Sequence, residues 1–300
     1  MDIPRIALVT ARVARRLDED LQPLAAALRS AEAEVELVDW DDSAADWESF
    51  DLALLRSPWD YSRRLPEFLA WAEEVSKVTT LLNPLPVIRW NTDKHYLADL
   101  IHAGVPVVPS HFIEPGEEAE SGLQRFFSLH PSLTEFVVKP AVSVGSKDTQ
   151  RYAREDVNAA VTHARQLLHA RRSVLLQPYL DRIDEQGETA LLFYAGEFSH
   201  AIRKGALLKR GEPPMTALFR KELVGAREPE LDELRVAAQA LAAQPFGTLA
   251  YARVDLIRDA RGAPCVLELE LSEPSMFFGL CPGAADRFAA VAVASVQRGG

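Results

Sequence analysis

Arg253-Val254-Asp255 is followed, one short hairpin later, by Val266-Leu267-Glu268-Leu269-Glu270. Both runs are rich in β-branched and aliphatic residues and read as neighbouring strands. Side chains alternate faces along a strand, so Glu268 and Glu270 share one face, and Arg253 shares one with Asp255. Clustered carboxylates with apolar neighbours repel one another unless a cation sits between them. Mg²⁺ is usually held by one or two carboxylates plus nucleotide phosphates. The pattern therefore predicts a metal site at Asp255, Glu268 and Glu270, with Arg253 as a fixed positive charge beside it. The competing reading is the solvated face of an ordinary antiparallel pair. That reading suffices for any one acid taken singly. The four together favour a site, because perturbed charge clusters concentrate where function is.

Around this stretch, 300 residues at 48% hydrophobic and 26% charged describe a globular chain with ample core, in one large or two to three small domains. A net charge of −11 argues against a nucleic-acid partner, which would want a basic stripe. No apolar run approaches the ~20 residues of a membrane span. The N-terminus lacks the basic-then-apolar layout of a signal peptide, so the cytoplasm is expected. Cys265 and Cys281 have no Cys-x-x-Cys spacing, and no His-Glu-x-x-His occurs, which disfavours disulfides and zinc.

Upstream, residues 1–90 alternate strand and helix patterns, the rhythm of a doubly wound α/β unit. Strands are expected at 6–9, 35–38 and 52–55. Leu17, Leu21, Leu24 and Leu28 recur at helical spacing, and a second helix is expected over 65–78. Thr92 is expected to cap a helix ending at Gly104. A second unit follows, with strands at 136–139 and 174–177 and a hairpin turning at Ala195-Gly196. The polar, Gly- and Pro-containing stretch 204–229 reads as a mobile loop closing over the site. Asp18 and Asp20 read as capping and dipole partners of the first helix.

Lys139 ends a buried strand, an odd place for an amine without an anionic partner; snorkelling at the strand end is the alternative. Beyond Pro140, Ala141-Val142-Ser143-Val144-Gly145-Ser146-Lys147 could close backbone N–H groups over phosphates, although it is not a P-loop.

Asp93-Lys94, Val137-Val138-Lys139-Pro140, the small-residue loop, Gln177-Pro178-Tyr179-Leu180, Gly187-Glu188, Arg253-Val254-Asp255 and Leu267-Glu268-Leu269-Glu270 follow one another as in ATP-grasp enzymes. The resemblance spans essentially the whole chain. It implies an α/β ATP-grasp fold: an N-terminal doubly wound domain over residues 1–90 and two nucleotide-grasping subdomains over 91–179 and 180–300. It also implies ATP and Mg²⁺ as cofactors, with Mn²⁺ able to replace Mg²⁺. Lys94 and Lys139 would then bracket the phosphates under the loop at Ser143, Gly145 and Ser146. Gln177, Pro178, Tyr179 and Leu180 would form the hinge that reads adenine, and Glu188 would bind ribose. Lys204 would approach the γ-phosphate, with Arg203 and Lys209 as neighbouring alternatives. Arg253 would stabilise charge on the attacked carbonyl, and Asp255, Glu268 and Glu270 would carry the metal. Glu270 departs from the Asn found in many family members and adds a charge.

Arg56-Ser57-Pro58-Trp59-Asp60-Tyr61 follows the third strand, where open α/β sheets bind ligands. Arg56 could hold a carboxylate, Asp60 an ammonium, and Trp59 and Tyr61 could wall the pocket. Alternatively the cluster docks its loop onto the neighbouring subdomain. With the compact length, it resembles O-ureido-serine cyclo-ligases of cycloserine biosynthesis. A small amino acid is the expected substrate. An intermolecular carboxylate–amine ligase is the alternative, and a homo-oligomer is left open.

Overall fold

Continuous apolar runs, each too short for a helix, build the first sheet. In the computed structural model, which describes residues 3–212 and 223–298, β1 (Arg5–Thr10), α1 (Leu21–Ser30), β2 (Glu34–Asp39), β3 (Leu52–Ser57), α2 (Leu65–Val75) and β4 (Thr80–Leu82) alternate along the chain. The four strands are parallel, in the order β2-β1-β3-β4. β3 is buried along its whole length, as a parallel strand covered on both faces must be. Leu17 precedes α1 and is exposed, so the helix begins later than its leucine repeat suggested.

The single helix expected from Thr92 is instead two, α3 (Leu85–Asn91) and α4 (Tyr96–His102). Thr92 ends α3, its N–H donating to Ile88 O. The break has a tertiary cause: Lys94 N–H leaves the helical ladder to donate to Ala141 O at 3.0 Å.

A second, antiparallel sheet contains β5 (His111–Ile113), α5 (Ala119–Leu129), β6 (Glu135–Pro140), β7 (Gln150–Ala153), α6 (Val157–His169) and β8 (Val174–Pro178), ordered β5-β8-β6-β7. α5 and α6 close it around Phe126, Phe136 and Leu176. A short α7 (Ile183–Gln186) leads to the third sheet, built from β9 (Glu188–Tyr194), β10 (Glu197–Lys204), β11 (Val224–Arg227), α8 (Leu231–Ala243), β12 (Tyr251–Arg258) and β13 (Pro264–Glu270). Its order is β11-β10-β9-β12-β13, antiparallel throughout. Ala195 and Gly196 both have positive φ, the two-residue turn that matches strand twist. α9 (Ala284–Arg298) then returns to pack on α1.

β11 corrects the expected loop at 204–229: Val224–Arg227 pairs with Ala201–Lys204 as an edge strand. Pro213 and Pro214 lie outside the described residues. Among the described residues, no helix is long and apolar enough to cross a membrane. Each sheet falls within one of the three expected units, yet packing crosses their bounds. Val87, Leu97 and Leu100 share a core with Leu191, Val254 and Val266 of the third sheet.

Candidate functional site

β12 and β13 pair so that Arg253 faces Glu270 and Asp255 faces Glu268. All four line one cavity together with Lys94, Lys139 and Lys204. The alternation argument therefore places the carboxylates as expected, but their partners are cations of the chain itself. Arg253 Nε and Nη2 donate to the two oxygens of Asp255 at 2.8 and 2.9 Å, and Arg253 also pairs with Glu270. Lys204 Nζ donates to Asp255 Oδ2 at 2.8 Å, and Lys139 Nζ to Glu268 Oε1 at 2.8 Å. Among the described residues no three acids, histidines or cysteines converge into a ready metal cage. The three expected metal ligands line the cavity together, each in an ion pair with a lysine or arginine of the chain.

The charges register this. Burial would raise the Glu268 carboxyl, but Lys139 and Lys94 outweigh it and hold it down at about 2. Asp255 is likewise held low, by Arg253 and Lys204 against burial. Glu270 goes the other way: burial, with Asp255 and Glu268 nearby, raises it despite Arg253. Carboxylate oxygens are hard donors that fit Mg²⁺, which needs only one or two of them when phosphates supply the rest. Glu268 and Glu270 retain side-chain exposures of 24% and 30%, whereas Asp255 has 2%. The two glutamates are thus the available donors and Asp255 stands behind them.

Strand alternation also chooses among the three cations near residue 204. Lys204, paired across the ladder with Glu188, points into the cavity and forms an ion pair with it. Arg203 points to the other face and donates to the carbonyls of Glu185 and Gln186. Lys209 is exposed beside Glu212. Glu188, expected at ribose, does line the cavity, but its carboxylate engages Lys204. Gly187 before it has φ +74°, and a Cβ there would come within 2.4 Å of Lys204 O, so only glycine fits.

Lys139, on β6, and Lys94, between α3 and α4, both reach the cavity and approach Glu268 Oε1, at 2.8 and 3.9 Å. Lys94 Nζ also donates to Ser143 O and Oγ, each at 3.2 Å. Ser143, Gly145 and Ser146 line the cavity, and Gly145 and Ser146 both take positive φ, folding the loop back over it. Gln177, Pro178, Tyr179 and Leu180 line it at the end of β8, with Arg151 stacked 3.6 Å from the Tyr179 ring centroid.

The N-terminal cluster divides. Trp59 and Tyr61 line the cavity as expected. Arg56 and Asp60 do not, and their expected roles toward substrate are corrected. Arg56 is fully buried, between Asp18 and Asp20 at 3.6 and 3.7 Å, and its Nη1 donates to Pro274 O at 3.1 Å. Asp60 accepts from Trp40 Nε1 at 2.8 Å and from Arg64. Asp18 and Asp20 are corrected too. Neither caps α1 with its side chain; Asp20 accepts from the backbone N–H groups of Met276, Phe277 and Phe278 at 2.6, 3.0 and 2.9 Å. The docking alternative is what these polar residues serve: they shape the loop after β13.

Several site residues had no audible signal in the sequence. Asn91 and Tyr96 staple β13, through Leu269 and Leu271 backbone groups. Glu273 accepts from Tyr61 Oη at 2.7 Å and lines the cavity. Its only sequence cue is a third acid just past the two on β13.

Residues 6–83 match the family model described as D-cycloserine synthetase DcsG, N-terminal domain. The cycloserine biosynthesis protein DcsG of Streptomyces lavendulae is 43% identical over 291 residues, 95% of this chain and 96% of that one. The crystal structure of D-cycloserine synthetase DcsG superposes with a TM-score of 0.90 at 41% identity, covering 98% of this chain and 99% of that one. The ATP-grasp ligase PsnB, solved with a phosphomimetic precursor variant, Mg and ADP, shares the fold at 20% identity and a TM-score of 0.64, with 98% and 99% covered.

Proposed function

The chain belongs to the D-cycloserine synthetase DcsG family of ATP-grasp ligases, and on that premise we propose that it closes a ring on one small amino acid, O-ureido-serine, to give cycloserine. It is an ATP-dependent carbon–nitrogen ligase. The observation that supports the substrate reading is identity along nearly the whole chain; the geometry supplies the chemistry.

Phosphoryl transfer asks a protein chiefly for positioning and charge stabilisation, and no nucleophilic side chain is required. Lys94 and Lys139 would hold the polyphosphate from the second sheet and Lys204 from the third. Gln177 to Leu180 would seat adenine, and Glu188, beside Lys204, would take a ribose hydroxyl. Glu268 and Glu270, with Asp255 behind them, would hold Mg²⁺ or Mn²⁺, which supplies neutralisation of the transferring phosphoryl charge. Arg253 would meet the substrate carboxylate and the charge that grows on its oxygen during attack. A carboxylate oxygen of the amino acid takes the γ-phosphoryl group, releasing ADP. The ureido nitrogen next to oxygen then attacks the acyl carbon, loses its proton and expels phosphate. Cycloserine carries no carbamoyl group, so water takes that group from the ring nitrogen, which keeps a proton, and the carbamic acid released splits into CO₂ and ammonia. Holding nucleophile and carboxylate in one molecule removes much of the entropic barrier to attack.

ADP release with O-ureido-serine as sole amino acid, with cycloserine identified by mass spectrometry, tests the reading. Strict dependence on a second amine would replace it with intermolecular ligation. A stable phosphorylated product would make the protein a kinase.

A further inference from the structure

The acids of the cavity differ in one respect. Asp255, Glu268 and Glu270 each form ion pairs with a lysine or arginine, whereas among the described residues none pairs with Glu273. Glu273 Oε1 accepts from Tyr61 Oη at 2.7 Å, and its second oxygen makes no hydrogen bond to a described residue. The backbone on either side is pinned. Arg56 donates to Pro274 O, and Asp20 gathers the N–H groups of residues 276–278. The carboxylate therefore stands at a fixed place in the wall rather than on a free loop.

Arg253 defines what lies beside it. The guanidinium donates through Nη1 to Ser275 O at 3.1 Å, two residues beyond Glu273, and lines the same cavity. A guanidinium and a carboxylate lining one cavity complement an α-amino acid, whose carboxylate and ammonium sit on one carbon. Burial raises the Glu273 carboxyl against the downward pull of Tyr61, Lys94, Arg253 and Arg56, and an ammonium bound beside it would favour the ionised form. Glu19, the other wall acid with no ion pair among the described residues, is exposed, where charge pairing is screened. Asp60, the acid that the sequence suggested for an ammonium, is turned to Trp40 and Arg64.

We propose that Glu273, oriented by Tyr61, binds the α-ammonium of the substrate and restricts the site to α-amino acids. The proposal rests on the ligase reading above. Tyr61 is then a positioning residue: its ring stacks on Phe68 and its hydroxyl fixes which carboxylate oxygen faces the substrate.

The test compares O-ureido-serine with the analogue whose α-amine is replaced by hydroxyl, using ADP release by the wild type and by Glu273→Gln. Loss of a charged hydrogen bond predicts a rise of about tenfold or more in KM for the amino acid. KM for ATP should stay within about twofold of wild type, because no nucleotide ligand is removed. The preference for amine over hydroxyl in kcat/KM should fall about tenfold or more, a change that a merely structural role would not produce. Tyr61→Phe keeps the stacked ring and should lower the same preference by less; it carries the test if Glu273→Gln loses ATP binding. A preference unchanged in the variants overturns the assignment of Glu273. If the wild type turns over another α-amino acid but not O-ureido-serine, only the substrate identity fails, and the same amine-to-hydroxyl comparison on that amino acid decides Glu273. A wild type that releases ADP with no α-amino acid overturns both.

Discussion

Lys139 shows how a single charge is tuned by its surroundings. Buried on β6, its amine is pushed below its ordinary value by desolvation and pulled back by Glu268 at 2.8 Å. In Lys139→Ala, Glu268 keeps only Lys94, at 3.9 Å, and the cavity loses one of its positive charges. Nucleotide affinity measured by titration calorimetry should fall about tenfold or more, the value of a charged hydrogen bond in a dry site. Unchanged affinity would reduce Lys139 to a structural partner of Glu268. His200 gives a second prediction at this scale. Its Nε2 lies 2.9 Å from Met276 O, and burial lowers its pKa from the ordinary 6.5. Folded His200 stays neutral while the unfolded chain takes up a proton as pH falls through 6.5, so stability present at neutral pH is lost on acidification. The loss is at most about 1.4 kcal/mol per pH unit for one proton. Melting temperature should drop between pH 7 and 5.5, and His200→Gln should flatten part of that slope. An identical slope in the variant would assign it to other groups.

At the scale of elements, the segment after β13 is the clearest case of structure imposed from elsewhere. Phe277 adopts φ +54°, a conformation costly for a residue with a side chain. Three successive N–H groups converge on the Asp20 carboxylate and hold it there, with the Phe277 ring 5.7 Å from the Arg253 guanidinium. Asp20→Ala would leave buried donors at Met276 and Phe278 without a partner, at about 1–3 kcal/mol. The variant should melt several degrees lower and show a raised KM for the amino acid. KM for ATP should change little, since the hinge and the lysines sit on other elements. Equal effects on both substrates would mean that the segment supports the cavity only generally.

Across the whole molecule, the cores explain why the site is shared by three sheets. Ile6, Leu8 and Leu54 of the first sheet, Leu192 and Tyr251 of the third, and Phe288 of α9 belong to one cluster. The second sheet has its own core. The first and third sheets should therefore unfold together. Phe288 is fully buried against Tyr194, Tyr251 and Phe278. Phe288→Ala should cost about 3–5 kcal/mol, lowering the melting temperature by roughly 5–8 °C. The loss should appear as slowed hydrogen exchange no longer persisting in β1 as well as in β9. Weakening confined to β9 and β12 would show the two sheets to be independent.

What could be read from residues alone was whatever depends on local periodicity. Period two put Glu268 and Glu270 on one face and Arg253 with Asp255, whereas the choice among Arg203, Lys204 and Lys209 waited on the register of β10. Short apolar runs announced the parallel sheet, and the ordered motifs announced the ligase fold. Partners were not legible, because ion pairs such as Lys139–Glu268 and hydrogen bonds such as Tyr61–Glu273 join residues far apart in the chain. Arg56 and Asp60 misled for that reason: their residue types suit a substrate, but the fold spends them on Pro274 and Trp40. β11 was missed because its pairing with β10, rather than its own four residues, makes it a strand. The sequence thus determined which faces carry charge, through the repeat of the backbone. Only the tertiary structure decided which charges are already answered and which, like Glu273, are left for a ligand, because desolvation and pairing depend on what the rest of the chain brings alongside.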